Sequence, residues 1–177
     1  TGETIRSKIK RLIGHMSKKK IDNIFISAPE NVSWLLNLRG YDNPNSPIAN
    51  CRLILSKSKK LYLFASKHKL INIRNKIPVT LNYYEEKDFY DVIDKLKGIN
   101  FSIDELSCSI YFEKLISSKF KITSKVDPCY LFKSIKNIKE LKNMEKAHIE
   151  DGVALTKFLF WIKNYNIKKL DELKIEK

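Results

Sequence analysis

Three histidines, three cysteines and a few carboxylates are the side chains of this 177-residue chain best suited to catalysis or metal binding. His15, His68 and His148 stand apart from one another, with no HExxH or HxH pair and no carboxylate at a ligand spacing beside them. His15 lies on a basic segment and His68 in a polar one, and both are expected at the surface. His148 falls in an apolar stripe, where a satisfied core histidine is the simpler reading than a catalytic base, which needs a partner within hydrogen-bond reach. Cys51, Cys108 and Cys129 are odd in number and far apart, without CxxC spacing, and read as buried or incidental thiols. Asp104 and Glu105, adjacent in "SIDEL", point to different sides of an extended chain and suit a strand end and a helix cap better than paired acid and base. The five glycines form neither GxGxxG nor GxxxxGK[ST], and no GxSxG occurs, which excludes the common nucleotide cradles and the nucleophile elbow.

One stretch is harder to assign to the core, "NVSWLLNLRGYDNPNSP" at Asn31 to Pro47. Trp34, Leu35 and Leu36 are expected inside, since Trp carries a large apolar area. Arg39 and Asp42 follow with Gly40 between them, a residue that permits backbone angles closed to others, and Pro44 and Pro47 stiffen the chain beyond. A stiff loop holding a cation and a carboxylate suits recognition of a ligand. It equally suits a structural turn closed by an internal ion pair, and the residues alone leave both readings open.

The elements that must carry this loop follow from periodicity. "IRSKIKRLIGHMSKKK" repeats apolar residues at helical spacing, with Ile5, Ile9, Leu12, Ile13 and Met16 on one side and lysines on the other. "IDNIFISA" reads as a buried strand, and "PENVSWLLNL" as a helix with Pro29 in its first turn and Ser27 as a nearby cap. "CRLILS" and "KLYLFAS", parted by "KSK", predict a hairpin. "KHKLINIRNKI" is expected to be helical, "VTLNYYE" extended, and "EKDFYDVIDKLKG" helical with Gly98 as its stop. "NFSIDEL" and "FKITSK" are two further strands flanking the helix "SIYFEKLISSK". Alternation of this kind specifies an α/β layer domain, and the hairpin makes the sheet mixed. Around "VDPCYLFKSIKN" the pattern changes, and from Ile138 to Ile162 apolar residues recur as in one long helix. The polar tail "NIKKLDELKIEK" also has helical composition. Residues 1–135 are therefore expected to form one domain, and 136–177 to begin a second whose bulk is absent; the missing initiator Met suggests that the front is cut as well.

The formal net charge of +14 raises the question of nucleic acid. Only Arg6, Arg11, Arg39, Arg52 and Arg74 are arginines, and the guanidinium is the group favoured for bidentate contact with bases and phosphates. Lysine scattered among Ile and Asn fits a general compositional drift better than a binding stripe, and the run "SKKK" at Ser17 to Lys20 suits a helix C-terminus. No apolar run approaches a membrane span or a signal peptide, so a soluble, cytoplasmic protein is expected.

At this point the residues carry a resemblance. "VSWLLNLRGYDNPNSP" resembles the signature of the aminopeptidase P family, enzymes that remove an N-terminal residue preceding proline, in the second of their two creatinase-like N-terminal domains. "KSIKNIKELKNMEKAHIEDGVALTKFLFWI" is similar to the beginning of the family's catalytic domain, through Lys136, Asn137, Glu140, Ala147, His148, Ile149, Asp151, Gly152, Ala154 and Leu155. "TGETIRSKI" is similar to the start of the second N-terminal domain. Tyr41, Asn43, Ser46 and Ala49 depart from the family pattern, while Arg39, Gly40 and Asp42 match it.

The resemblance implies a creatinase/prolidase-like mixed sheet flanked by helices, then a long helix that opens a truncated "pita-bread" domain. It implies an intact Xaa-Pro aminopeptidase with a further domain before Thr1, acting as a homodimer on peptides with proline in second position. Two divalent metal ions, usually manganese, would be held by two Asp, a His and two Glu late in the catalytic domain, outside this chain, and would activate a bridging water and polarise the scissile carbonyl. The segment itself would be non-catalytic, with Arg39 and Asp42 as substrate-facing residues at the active-site mouth. The alternative is a stand-alone binding module that keeps the creatinase-like fold without catalysis.

Overall fold

The computed structural model describes residues 2–73 and 77–165. Two compact units divide the chain, Glu3–Ile135 and the residues from Lys136 onward. In the first, helices and strands run α1 (Ile5–Lys18), β1 (Asn23–Ile26), α2 (Pro29–Leu35), β2 (Arg52–Ser56), β3 (Leu61–Phe64), α3 (Lys67–Ile73) and β4 (Asn82–Tyr84). A single 3-10 turn at Glu86–Asp88 leads into α4 (Phe89–Lys95), followed by β5 (Asn100–Ile103), α5 (Ile110–Ser117), β6 (Lys121–Ser124) and α6 (Pro128–Ser134).

The six strands form one mixed sheet in the order β4-β3-β2-β1-β5-β6. The expected hairpin is present as antiparallel β2 and β3, β1 is antiparallel to β2, and the β1–β5, β3–β4 and β5–β6 pairs are parallel. Strand alternation sorts the side chains into two cores. Ile24 and Ile26 of β1, Leu53 and Leu55 of β2, and Leu61 and Leu63 of β3 face a core completed by Ile5, Ile9, Leu12 and Met16 of α1, Leu35 of α2, Leu70 of α3 and Cys129 of α6. Phe25, Ile54, Phe64, Phe101 and Ile103 face the other way, onto Phe89, Val92 and Ile93 of α4 and Phe112 and Ile116 of α5. That second core is largely aromatic, with Phe25, Phe64 and Phe112 each packed on Phe89 at centroid distances of 4.6–5.2 Å.

Several local expectations need correction. The residues around "VDPCYLFKSIKN" form α6, whose signals are an Asp127 side chain accepting from Cys129 N at 2.8 Å and Pro128 at the first helical position. Ser27 does not cap α2, whose N-cap is Ala28; its hydroxyl lies 2.7 Å from that of Ser107. Gly98 does not end α4, which stops at Lys95, but packs where a Cβ would come within 2.6 Å of Asp22. His15 is half-buried edge-on to Phe132 rather than at the surface, and burial lowers its pKa. The final residues of the segment expected as α3, Arg74 to Lys76, and the tail from Asn166, lie outside the described residues.

In the second unit, α7 runs Ile138–Asn164. A capping box starts it: the Asn137 side chain accepts from Glu140 N at 3.0 Å, and Asn137 N donates to the Glu140 carboxylate at 2.9 Å. No α7 side chain is buried, and Ile138, Ile149 and Phe160 are 75%, 64% and 71% exposed. His148 is exposed as well, so within the described residues it is not a core histidine. Among the described residues no helix is long and apolar enough to cross a membrane.

Candidate functional site

The loop carrying Arg39 and Asp42 begins with the way α2 ends. Asn37 adopts φ 51°, a left-handed angle that Asn tolerates, while Asn37 N donates to Trp34 O and Leu38 N to Ser33 O at 2.9 Å. This pair of bonds is a Schellman stop, with Leu38 tucked into the core as its apolar anchor. Asn37 is fixed further by the ammonium of Lys8, a buried lysine that donates to Asn37 Oδ1 at 2.8 Å and to Trp34 O at 2.6 Å and lies 4.4 Å from the Trp34 ring centroid. Trp34 is therefore half-buried under cations, whereas Leu35 and Leu36 are core as expected.

Beyond Leu38 the chain turns outward. Gly40 is there for closeness rather than for a special backbone angle: a Cβ would lie 2.6 Å from Ala49 Cα and 2.8 Å from Ala49 N. The two arms of the loop meet at that point, with Gly40 N donating to Pro47 O at 3.3 Å and Ala49 N to Ser33 Oγ at 3.3 Å. At the tip, Asn43 and Ser46 form an isolated bridge and Asn45 takes φ 64°.

Asp42 closes the loop. Its Oδ2 accepts from Asn50 N and from the Lys69 ammonium of α3 at 2.7 Å, and these contacts, the lysine foremost, lower its pKa. Among the described residues no ion pair joins it to Arg39. The Arg39 guanidinium donates to Leu38 O at 2.8 Å and is otherwise exposed, next to a Tyr41 that is 100% exposed. Asn43, Ile48 and Asn50 of the loop, with Pro29 and Glu30 of α2, line a small cleft of about 210 Å³. The loop thus offers a guanidinium, a phenol and amide groups to solvent, donors that suit a carboxylate or peptide backbone.

Sequence reasoning missed a polar network at the carboxyl ends of the parallel strands β1 and β5. Asn31 donates to Asp127 Oδ2 at 2.7 Å and accepts from Lys133 at 2.7 Å. Asp104, next after β5, accepts from Asp127 N at 3.1 Å and Leu106 N at 3.0 Å, the strand-end role expected of it. Tyr130 donates to Glu30 Oε1 at 2.9 Å; burial first and then this bond push its pKa up to about 12. Open α/β sheets commonly bind ligands at such strand ends. Here Asn31, Asp104 and Asp127 are buried and bonded to one another or to backbone, so the position is filled by α6 and acts as a joint.

No thiol is set up as a nucleophile. Cys51 and Cys129 are buried, and desolvation raises Cys51 to about 12 and Cys108 to about 11. Among the described residues no three His, Cys, Asp or Glu side chains converge as a metal site. The residues present do not fit a dinuclear centre, and no hydrolytic step is assigned to them.

Comparison with known proteins gives this arrangement a context. Residues 1–140 match the model of the creatinase/prolidase N-terminal domain. Xaa-Pro aminopeptidase 1 of Dictyostelium discoideum is 30% identical over 175 residues, covering 97% of this chain and 27% of the relative. A probable Xaa-Pro aminopeptidase P of Sclerotinia sclerotiorum is 28% identical over 93% of this chain and 29% of its own length. Among solved structures, X-prolyl aminopeptidase from Caenorhabditis elegans, described as a cytosolic enzyme with a di-nuclear active site, superposes with a TM-score of 0.79 at 20% identity, over 99% of this chain and 30% of that one. Prolidase from Pyrococcus horikoshii OT3 gives 0.69 at 21% identity, over 90% and 43%. These structural likenesses show a shared fold, and the chain spans less than a third of the length of the curated relatives named here.

Proposed function

Because the chain belongs to the creatinase/prolidase N-terminal domain family, we propose that it is a non-catalytic segment of a metal-dependent Xaa-Pro aminopeptidase. In this reading the intact protein hydrolyses the bond between an N-terminal residue and a following proline. Residues 1–135 form the middle, creatinase-like domain, and 136–177 begin the catalytic domain that would hold two divalent cations, manganese in the first instance. A cytoplasmic homodimer would be the working form.

The observation that carries this reading is one of extent. The match to Xaa-Pro aminopeptidases covers 97% of this chain but only 27% of the first relative, so the similarity runs through the whole of this chain into α7. A helix of that length with no buried side chain is consistent with the first piece of a larger unit, because an amphipathic helix gains most of its stability from packing.

In the same reading the loop from Arg39 to Pro47 walls the active-site mouth. Arg39 supplies an exposed cation for the peptide's carboxylate end, and Asp42 holds the loop rather than the peptide. The exposed guanidinium supports this, since no carboxylate among the described residues neutralises it.

The test is to assay metal content and Xaa-Pro cleavage of the native full-length product beside this chain. Two metals and turnover in the longer protein alone are the expected result. A native product that is itself this short and inert would put the stand-alone binding module in its place. For the loop, Arg39→Ala in the full-length enzyme is expected to change turnover more for some peptide lengths than for others. Unchanged turnover at every length, with lowered stability, would make the loop structural.

A further inference from the structure

On the outer side of α1 lies a groove of about 730 Å³ that the reading above does not use. Its floor is apolar, built from Ile9 and Ile13 of α1, Leu61 of β3 and Val79. Its rim is cationic on two sides. Arg6 and Lys10, one helical turn apart, line it from α1, and Lys59 lines it from the β2–β3 turn. All three are exposed, and no ion pair to any of them is found among the described residues.

Two details keep the groove open and charged. Gly14 lines it, and a Cβ there would meet nothing within 4 Å, so the glycine relieves no clash; what it does is leave the floor bare for one turn of helix. Lys59 occupies the left-handed position of the turn, φ 66°, with Lys59 N donating to Ser56 O at 2.9 Å. Glycine or asparagine suits that position best. The turn carries a cation at a place where a side chain is disfavoured.

We propose that this groove is a docking site for an acidic amphipathic segment of a partner protein, a short helix with an apolar ridge flanked by carboxylates. The apolar ridge would enter between α1 and β3, and acidic residues on its two flanks would meet Arg6 and Lys10 on one side and Lys59 on the other. A small anionic amphiphile has one charged end and would leave one of the two cationic walls unpaired. A flat anionic membrane does not enter a recess, so charge on both walls around an apolar floor favours a helix.

The test uses fluorescence anisotropy with the 177-residue chain and a labelled helical peptide of about 18 residues, with leucines at i, i+3, i+4 and i+7 and glutamates flanking them. A peptide of the same composition in scrambled order is the control for simple attraction to a chain of net charge +14. Binding of the ordered peptide at least about tenfold tighter than the scrambled one, and weakening with salt, is expected. The double variant Arg6→Glu/Lys10→Glu should weaken it about tenfold or more, and Lys59→Gly several-fold. Gly14→Leu, which fills the groove from an unobstructed position, should abolish it. Circular dichroism on each variant confirms that the fold is retained. Equal binding of ordered and scrambled peptides, unchanged binding by Gly14→Leu, or binding only to phosphatidylserine-containing vesicles would each overturn the proposal.

Discussion

Asp127 and Asp42 are the same side chain type in two polar settings of this domain, and their environments push their pKa values in opposite directions. Asp127 is buried at the joint between β5, α2 and α6, where desolvation outweighs its bonds to Cys129 N and Asn31 and raises its pKa. Asp42 stands in an outer loop, where the Lys69 ammonium and Asn50 N outweigh a smaller desolvation and lower it. A hydrogen-bonded carboxylate is thus not by itself a stabilising one: the balance turns on how much water was given up to make the bonds. The difference also separates a region that holds the fold together from one that shapes a surface.

The largest effect is expected from Asn31→Ala. Asn31 is fully buried and links Asp127 to Lys133, so its loss removes one bond to the buried Asp127 carboxylate and one to the half-buried Lys133 ammonium and leaves a gap at the joint. A loss of about 3 kcal/mol is expected by urea denaturation. A loss below about 1 kcal/mol would mean that the joint is dispensable. Next comes Gly40→Ala, which forces a Cβ onto the Ala49 backbone; about 2 kcal/mol should be lost, and amide exchange should quicken between Gly40 and Asn50.

The pH dependence sharpens the contrast. The lowered pKa of Asp42 contributes stability that is fully present above the ordinary carboxylate pKa, about 4, and is lost as pH falls through the folded value. Asp42→Asn should therefore cost roughly half a kcal/mol at pH 7, and its cost should vanish in acid. For Asp127 the sign is reversed: a raised pKa makes stability fall as pH rises from the ordinary carboxylate value through the folded one. The cost of Asp127→Asn should shrink over that window, and parallel chemical denaturation of both variants from pH 3 to pH 7 reads the two slopes. Smallest of all is the effect of Arg39→Ala on this chain, whose stability should change by less than about 0.5 kcal/mol, since the side chain is exposed and bonded only to the preceding carbonyl among the described contacts.

Much of the architecture is legible in one dimension because its causes are local. The alternation of Ile24, Phe25 and Ile26, and of Leu53, Ile54 and Leu55, announces strands with two buried faces, and the spacing of Ile5, Ile9, Leu12 and Met16 announces α1. Asn37 followed by Leu38 carries the signature of a left-handed helix stop, and Asp127-Pro128 that of a helix start, although neither was decoded from the residues alone. Gly40 was legible as necessary but not for its true reason, since the Cβ clash comes from Ala49, brought close only when the loop closes.

The order and type of nearly every element and the similarity to Xaa-Pro aminopeptidases are written in the chain itself, because periodicity and motif order live in near neighbours. Which groups meet is set by the folded chain. Asn31 and Asp127 are 96 positions apart, and Lys69 reaches Asp42 from a helix beyond the intervening hairpin. Pairings at such distances depend on strand order and on how helices cross the sheet. No local pattern encodes them, and so Asp42, a near neighbour of Arg39 in sequence, pairs instead with Lys69 of α3.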